Sequence, residues 1–148
     1  MILITIILSF GYLCLLTWFL IGWLKLKSTS IKNGEPKIRF SIIVPARNEE
    51  DNIINTIKDI AEQDYPEELF EVIIIDDDSS DQTYHLALKK IEALKLIYPN
   101  FRVLKLTEDE IYTSGHKKRA IEYGIGLALN EWIVTTDADC RRGEHWLS

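Results

Sequence analysis

This 148-residue chain has few cysteines and no net positive charge. Its two cysteines, Cys14 in an apolar stretch and Cys140 beside an acidic cluster, provide no disulfide framework. Seventeen Lys and Arg residues are outnumbered by 23 Asp and Glu residues, which gives a formal net charge of −6. Because an acidic surface disfavours contact with a phosphate backbone, we expect no nucleic-acid partner. The three histidines show no metal-ligand spacing, and we assign them no role.

Charge of either sign is absent from residues 1–24. As an α-helix this segment would extend roughly 36 Å, enough to cross a hydrocarbon core of about 30 Å. A cleaved signal peptide is the alternative, but the segment has no basic n-region, no small-residue cleavage site, and too long an apolar run. We therefore expect a retained transmembrane helix over 1–24, with the lipid bilayer as a partner. Basic residues follow this helix and none precedes it, so the positive-inside rule predicts a single-pass protein with residues 25–148 in the cytoplasm.

The rest of the chain predicts an α/β fold. Residues 25–38 have the polar composition of a linker, and 39–148 alternate between β-rich runs and amphipathic helical patterns. This order predicts a mostly parallel, Rossmann-like sheet with helices on both faces. Strands are expected at 39–44, 70–75, 101–106 and 131–136, and helices from Asn48 to about 65, over 81–97 and over 117–129. The fourth strand should be central, yet little chain follows it, so we expect this sequence to be the N-terminal part of a longer protein.

Acidic clusters follow two of the predicted strands. Asp76, Asp77 and Asp78 come after the apolar run 72–75, and the triplet Asp137-Ala138-Asp139 comes after the run 132–136. Both runs are β-branched and apolar, as expected of buried strands in a parallel sheet. Ligands bind beyond the carboxyl ends of such strands. Adjacent carboxylates repel one another, so we expect the first cluster to bind a ribose hydroxyl or a base N–H rather than only to cap a helix.

The second cluster is spaced for a metal ion. Asp137 and Asp139 stand two residues apart on extended backbone, so their side chains point to the same side. Two carboxylates in this arrangement suit a hard divalent cation that also binds phosphate oxygens. The sequence predicts a Mg²⁺ or Mn²⁺ ion at Asp137 and Asp139, bridging a diphosphate.

Two further segments complete the predicted site. Residues 45–50 lie at a strand-to-helix turn, where we expect Pro45 to end the strand and Asn48 to cap the helix. Three acids in the first helical turn would oppose a phosphate there, so a base or ribose contact is the functional alternative to simple capping. Of the basic run that opens the helix at 117, we expect Lys117 to face the acidic pocket or a phosphate and Lys118 and Arg119 to be solvated. Cys140 is expected to be a small packing residue.

Together these segments resemble the inverting glycosyltransferases of family 2, which have a GT-A fold. The matching segments are 43–49, 75–81, 117–121 and 136–139, and the resemblance covers about residues 39–148. It implies transfer of a sugar from a nucleotide-diphosphate donor, with a UDP-sugar expected, to an acceptor hydroxyl with inversion. It also implies that Asp77 contacts the base, that Asp137 lies near the ribose and the sugar, and that Asp139 coordinates Mg²⁺ or Mn²⁺ through the diphosphate. The nucleotide pocket would be lined by Pro45, Ala46, Arg47, Asn48 and Glu49, with Asp76 and Lys117 also donor-binding.

The sequence departs from the family pattern in ways that keep two alternatives open. Asp78 stands where glycine is usual, and His116 stands where the basic motif often has glycine. The family's catalytic base, an Asp in a later segment, is not found in these residues, and the acceptor, a glycan or a lipid-linked sugar, is not identified. The alternatives are an aspartyl-phosphate phosphatase, suggested by the paired D-x-D triplets, and a non-catalytic nucleotide-binding membrane module.

Overall fold

The computed structural model describes residues 1–26, 37–106 and 115–148. The chain divides into two units, Met1–Gly34 and Glu35–Ser148. In the first unit, helix α1 spans Ile2–Leu24 and buries none of its residues. Its length and hydropathy suffice to cross a membrane, a criterion that leader sequences also meet. The predicted linker falls mainly on residues 27–36, which lie outside the described residues.

The second unit contains a parallel sheet with helices on both faces, as the sequence predicts. Its four described strands lie in the order β3-β2-β1-β4, and every neighbouring pair is parallel. A short 3₁₀ turn at Glu67–Leu69 precedes the second strand. The elements in chain order are β1 (Phe40–Ala46), α2 (Ile53–Ala61), β2 (Phe70–Asp76), α3 (Thr83–Leu94), β3 (Phe101–Lys105), α4 (His116–Leu127) and β4 (Trp132–Thr135).

Alternate side chains of the central strands enter two separate cores. On one face, Ile42, Val44, Val72 and Ile74 pack with residues of α2 and α3. On the other face, Ile73 and Ile75 pack with Leu106 and with Ala120 of α4. Because strand side chains alternate between faces, a continuous apolar run is what a strand covered on both sides requires. A Cβ added to Gly124 would lie 2.6 Å from Ile43 Cγ2, so this glycine lets α4 approach β1 closely.

Strand β1 continues through Pro45, and the prediction that proline ends it is wrong. Pro45 pairs with Ile75, and the strand ends one residue later. The carbonyl of Ile43 accepts from the N–H of Thr136, whereas the carbonyl of Ala46 accepts from the N–H of Asp77. The backbone N and C=O of residue 45 therefore point toward β4, as those of residue 43 do. Strand β4 has no residue paired with β1 beyond Thr135. A missing N–H costs no ladder hydrogen bond there.

Helix α2 begins at Ile53, so the prediction that Asn48 caps it is also wrong. Asn48 has a left-handed backbone with φ of 55°. Its side-chain Oδ1 accepts a hydrogen bond from the N–H of Ser80 at 2.9 Å, and its own N–H donates to Ser79 Oγ at 3.0 Å. These contacts join the loop after β1 to the loop after β2, and the helix starts only when that loop ends.

Strand β4 does not have the burial expected of a central strand. In the part of the chain that the structure describes, it pairs with β1 alone and forms an edge of the sheet. Trp132 is 62% exposed, and no residue of the strand is fully buried. The expectation of a buried run at 132–136 is wrong for the described residues, although the strand itself and its parallel pairing are confirmed.

Candidate functional site

Three strand ends meet at one edge of the sheet and enclose a cavity of about 290 Å³. The loop after β1, the residue after β2 and the segment after β4 each contribute to its wall, together with the first turn of α4. Eight of the ten residues that the sequence places in the site line this cavity. They are Pro45, Ala46, Arg47, Glu49, Asp77, Lys117, Asp137 and Asp139, joined by Ala138.

Asn48 and Asp76 do not line the cavity, in contrast to the prediction. Asn48 is engaged with Ser79 and Ser80, as described above. Asp76 is buried, and its Oδ2 accepts a hydrogen bond from the N–H of Ser79 at 3.2 Å. Both residues therefore shape the loop after β2 from behind the cavity wall.

The acids near the first two loops bind backbone N–H groups. Asp81 Oδ2 accepts from the N–H of Glu50 at 3.2 Å, and Glu50 Oε2 accepts from the N–H of Gln82 at 3.0 Å. Burial alone would raise the pKa of Asp81, but hydrogen bonds from Thr83 and Glu50 outweigh it and lower that pKa. The acids at 49–51 lie in a turn before α2, so the expectation that they belong to its first turn is wrong.

The carboxylate of Asp77 is paired with Arg119, which the sequence interpretation placed on a solvated surface. The Asp77 side chain is 3% exposed and that of Arg119 is 14% exposed. Arg119 Nε donates to Asp77 Oδ1 at 3.1 Å, and its Nη2 contacts the same oxygen. The solvated assignment of Arg119 is therefore wrong. Helical spacing in the sequence could have indicated this burial, because Arg119 adjoins the buried Ala120 and stands four residues before the partly buried Tyr123.

The two neighbouring lysines lie where the sequence predicts, Lys118 in solvent and Lys117 beside the acidic residues. Lys118 is exposed and lies 3.6 Å from Glu122, one turn along the helix. Lys117 Nζ lies 2.7 Å from Asp137 Oδ1 and 2.8 Å from Oδ2. The hydrogen bond that Lys117 donates to Asp137 raises the pKa of Lys117, so this ammonium group stays charged. An exposed ion pair of this kind contributes little to stability and can exchange its partner for a ligand.

The ligand atoms of Asp137, Asp139 and Cys140 lie within 4.8 Å of one another. The two carboxylates fit a hard divalent cation. Cys140 is exposed, so the prediction that it packs in the interior is wrong. Partial desolvation and the contact with Asp139 raise the pKa of Cys140. A thiol is also a softer donor than Mg²⁺ or Mn²⁺ prefers, so the two carboxylates are the groups here that suit such an ion.

Asp78, which replaces the expected glycine, has a left-handed backbone with φ of 55° and an exposed side chain. Because this conformation strains residues that have a Cβ, we expect Asp78→Gly to raise the free energy of unfolding by about 0.5–1 kcal/mol. Removing one of three adjacent acids acts in the same direction. Chemical denaturation measures the change. Asn48→Gly is the matched control, because it has the same φ but loses the hydrogen bond to Ser80; an equal gain in both variants would contradict the explanation.

Comparisons with known proteins agree on one family. The family model described as glycosyl transferase family 2 matches residues 41–148. The chain is 32% identical over 102 residues to the poly(ribitol-phosphate) beta-N-acetylglucosaminyltransferase TarS of Staphylococcus aureus, covering 69% of this chain and 16% of TarS. It is 34% identical over 101 residues to the beta-monoglucosyldiacylglycerol synthase of Nostoc sp., covering 68% of this chain and 20% of the synthase. The chain thus spans about a fifth or less of the length of these two relatives.

Solved structures give the same result for the fold. The mannosyltransferase PcManGT from Pyrobaculum calidifontis, in complex with GDP-Man and Mn²⁺, matches with a TM-score of 0.68 and 28% identity. That match covers 89% of this chain and 36% of PcManGT. Residues 1–349 of S. aureus TarS, in complex with UDP-GlcNAc, match with a TM-score of 0.57 and 30% identity, covering 72% of this chain and 28% of that one. The parallel sheet and its flanking helices are therefore of the GT-A type.

Proposed function

The chain belongs to glycosyl transferase family 2, and from this membership we propose that it forms the donor-binding half of a sugar-transferring enzyme. The donor would be a nucleotide-diphosphate sugar, with a UDP-sugar as the first candidate, and the sugar would pass to an acceptor hydroxyl with inversion. The observation that carries the proposal is the single cavity in which Asp77, Lys117, Asp137 and Asp139 meet at the carboxyl edge of the sheet.

The nucleoside would bind between the loop after β1 and Asp77. Pro45, Ala46 and Arg47 supply one wall, and the Asp77 carboxylate supplies acceptor oxygens for a base N–H. Arg119 fixes that carboxylate in place before any ligand arrives, which reduces the entropy lost on binding. Asn48 and Asp76 would support donor binding indirectly, because they hold the loop that contains Ser79 and Ser80.

The diphosphate would bind at the opposite wall. Asp137 and Asp139 would hold Mg²⁺ or Mn²⁺, and the solved structure of the related PcManGT contains Mn²⁺. When bound, such an ion stabilises the negative charge of a departing diphosphate. Lys117 lies beside Asp137, where its ammonium group would be placed to bind a phosphate oxygen of the same diphosphate.

The general base for an acceptor hydroxyl is not assigned to this cavity. Such a base must lie within hydrogen-bonding reach of the hydroxyl and be free to take its proton. Asp77 is bound by Arg119, Asp137 by Lys117, and Glu49 accepts a hydrogen bond from Asn52 at 2.9 Å. We therefore propose that these carboxylates bind the donor and that the base is a different residue.

The phosphatase interpretation is not retained. An aspartyl-phosphate enzyme needs an accessible nucleophilic carboxylate at the first Asp of its D-x-D triplet. Asp76 is buried, Asp137 is paired with Lys117, and the chain belongs to a glycosyltransferase family. The non-catalytic alternative differs from our proposal only in turnover, so donor binding without transfer or hydrolysis would favour it.

We also propose that α1 anchors the protein in a bilayer, with the sheet on the cytoplasmic side. The helix is long and apolar enough, and the basic residues Lys25, Lys37 and Arg39 follow it while none precedes it. In sealed right-side-out vesicles we expect an impermeant thiol reagent to label Cys140 only after permeabilisation, and labelling of Cys140 in intact vesicles would contradict this topology.

Calorimetric titration of the full chain in detergent with UDP, first with Mn²⁺ and then after addition of EDTA, tests the proposed function. We expect saturable UDP binding that is lost when the metal is chelated, because Asp137 and Asp139 alone repel a diphosphate. UMP is the control ligand, since it lacks the second phosphate and should depend less on the metal. Equal UDP affinity with and without metal, or no UDP binding, would contradict the proposal.

A further inference from the structure

One stripe of helix α2 is polar and nevertheless buried. Thr56 and Asp59 stand at positions i and i+3 on one side of the helix, and Gln63 follows two residues after the helix ends; the three residues are 1%, 7% and 8% exposed. Polar side chains at such positions destabilise a core unless their hydrogen bonds are satisfied. Their hydrogen-bonding partners therefore show which part of the chain these buried side chains hold in place.

All three side chains bind the segment that immediately follows the first acid of the candidate metal site. Thr56 Oγ1 donates to the carbonyl of Ala138. Gln63 Nε2 donates to the carbonyl of Gly143 at 2.7 Å, and Gln63 Oε1 accepts from the N–H of Leu147 at 3.1 Å. The segment from 136 to 148 contains no helix or strand of its own, so these side chains take the place of secondary-structure hydrogen bonds.

Asp59 is the centre of the stripe. Its Oδ2 accepts from Arg141 Nε at 2.7 Å and from the N–H of Arg142 at 2.9 Å, while its Oδ1 accepts from Arg141 Nη2 at 2.9 Å. The hydrogen bond from Arg141 outweighs the effect of burial and lowers the pKa of Asp59. Asp59 is thus ionised at neutral pH, and the stability that it contributes is lost only as the pH falls through this lowered pKa.

Arg142 connects Asp59 to the candidate metal ligands. With its backbone N–H held by Asp59, its guanidinium donates from Nε to Thr136 Oγ1 at 2.9 Å and from Nη2 to the carbonyl of Asp137. The same guanidinium lies 5.4 Å from the centre of the Trp146 ring. A continuous set of contacts therefore runs from the α2 carboxylate to the backbone of Asp137.

We propose that Asp59 is a positioning residue that fixes the Asp137–Asp139 segment through Arg141 and Arg142, so that both carboxylates face one metal ion. The proposal rests on the proposed function for the identity of the ligand. Groups that orient metal ligands without touching the metal commonly alter metal affinity by roughly 10–100-fold. A segment without regular structure needs such support, because its ligands otherwise lose conformational entropy when the metal binds.

The test compares Asp59→Asn with Glu62→Gln in the full chain. Both substitutions remove one negative charge near the end of α2. Glu62 is exposed and lies 3.8 Å from Lys58, and its effect on Arg141 is only electrostatic, whereas Asp59 also binds Arg141 by hydrogen bonds. For Asp59→Asn we expect faster amide hydrogen exchange confined to residues 136–147 and Mn²⁺-dependent UDP affinity lowered by about 10–100-fold. The affinity for UMP, which depends less on the metal, should change less than the affinity for UDP, and Glu62→Gln should match the wild type in every measurement.

Arg141→Gln is the second variant, because its exposed side chain can be replaced without affecting the core. It should produce a smaller change in the same segment. Unchanged exchange at 136–147 in Asp59→Asn, or exchange that rises equally throughout the sheet, would overturn the proposal. If the wild type itself binds no UDP with Mn²⁺, the proposed function fails, and the exchange pattern alone decides whether Asp59 fixes this segment.

Discussion

Asp139→Ala is expected to abolish the manganese-dependent part of UDP binding. Asp139 is exposed at the cavity and supplies one of the two carboxylates that we assign to the metal, so its removal leaves the ion with a single protein carboxylate. Outer-shell substitutions alone cost roughly 10–100-fold in metal affinity, so loss of a direct ligand should weaken Mn²⁺-dependent UDP binding by at least about 100-fold. Titration calorimetry with UDP at fixed Mn²⁺ measures the effect.

The control for this variant is Asp51→Asn, which removes the same charge from an exposed turn residue that does not line the cavity. It should bind UDP like the wild type in the presence of Mn²⁺. Asp139→Ala should also keep the wild-type unfolding midpoint, because Asp139 is exposed. If Mn²⁺-dependent affinity survives in Asp139→Ala, then this carboxylate is not a metal ligand and the assignment of the diphosphate wall is wrong.

Arg119→Ala is expected to destabilise the sheet unit strongly. The substitution leaves the buried carboxylate of Asp77 without the guanidinium that neutralises it. Breaking a buried ion pair by removing one partner costs about 3 kcal/mol or more in the free energy of unfolding, because a charge remains in a poorly solvated position. Denaturant unfolding followed by tryptophan fluorescence measures this loss.

Lys118→Ala is the matched control for Arg119→Ala. It removes a positive charge one residue away on the same helix, from a solvated side chain whose partner is Glu122. We expect its stability to stay within about 0.5 kcal/mol of the wild type. Asp77→Asn combined with Arg119→Ala should recover part of the lost stability, since the buried charge is then removed with its partner. If Arg119→Ala behaves like Lys118→Ala, the pair contributes nothing.

The fold was largely predictable from the sequence because its central strands are apolar on both faces. The apolar run 72–75 admits few other interpretations, since a strand covered by helices on both sides needs this pattern and a surface element does not tolerate it. Once parallel strands are assumed, the acids that follow them must meet at one edge. That is why eight of the ten site residues named from the sequence line the same cavity.

The errors concern interactions between residues far apart in the chain. Asn48 resembles a helix cap, but its hydrogen bonds go to Ser79 and Ser80, so its left-handed backbone depends on a loop more than thirty residues away. The sequence of a basic run likewise does not reveal that Arg119 meets Asp77. Local propensity predicts the conformation that a segment prefers by itself. The conformations of these two residues are instead set by hydrogen-bonding partners that only the folded sheet brings close.

The positions of Asp59 and its two neighbours in the polar stripe were missed for a related reason. In sequence, Thr56, Asp59 and Gln63 look like the solvated side of an amphipathic helix, since polar residues at helical spacing usually face water. They are buried because the chain after β4 crosses this side of α2 and supplies hydrogen-bonding partners. No local pattern in the sequence of α2 predicts that the chain after β4 covers it.

Pro45 has a consequence for how this binding cleft can change over evolutionary time. Residue 45 offers no N–H toward β4, and the pairing of the two strands ends at Ile43 and Thr135, where the cavity opens. This separation belongs to the backbone rather than to the side chains of Arg47 and Glu49. Under the proposed function, we expect substitutions at Arg47 or Glu49 to alter which donor is preferred while the cleft stays in place, so that one scaffold can diversify its specificity without being rebuilt.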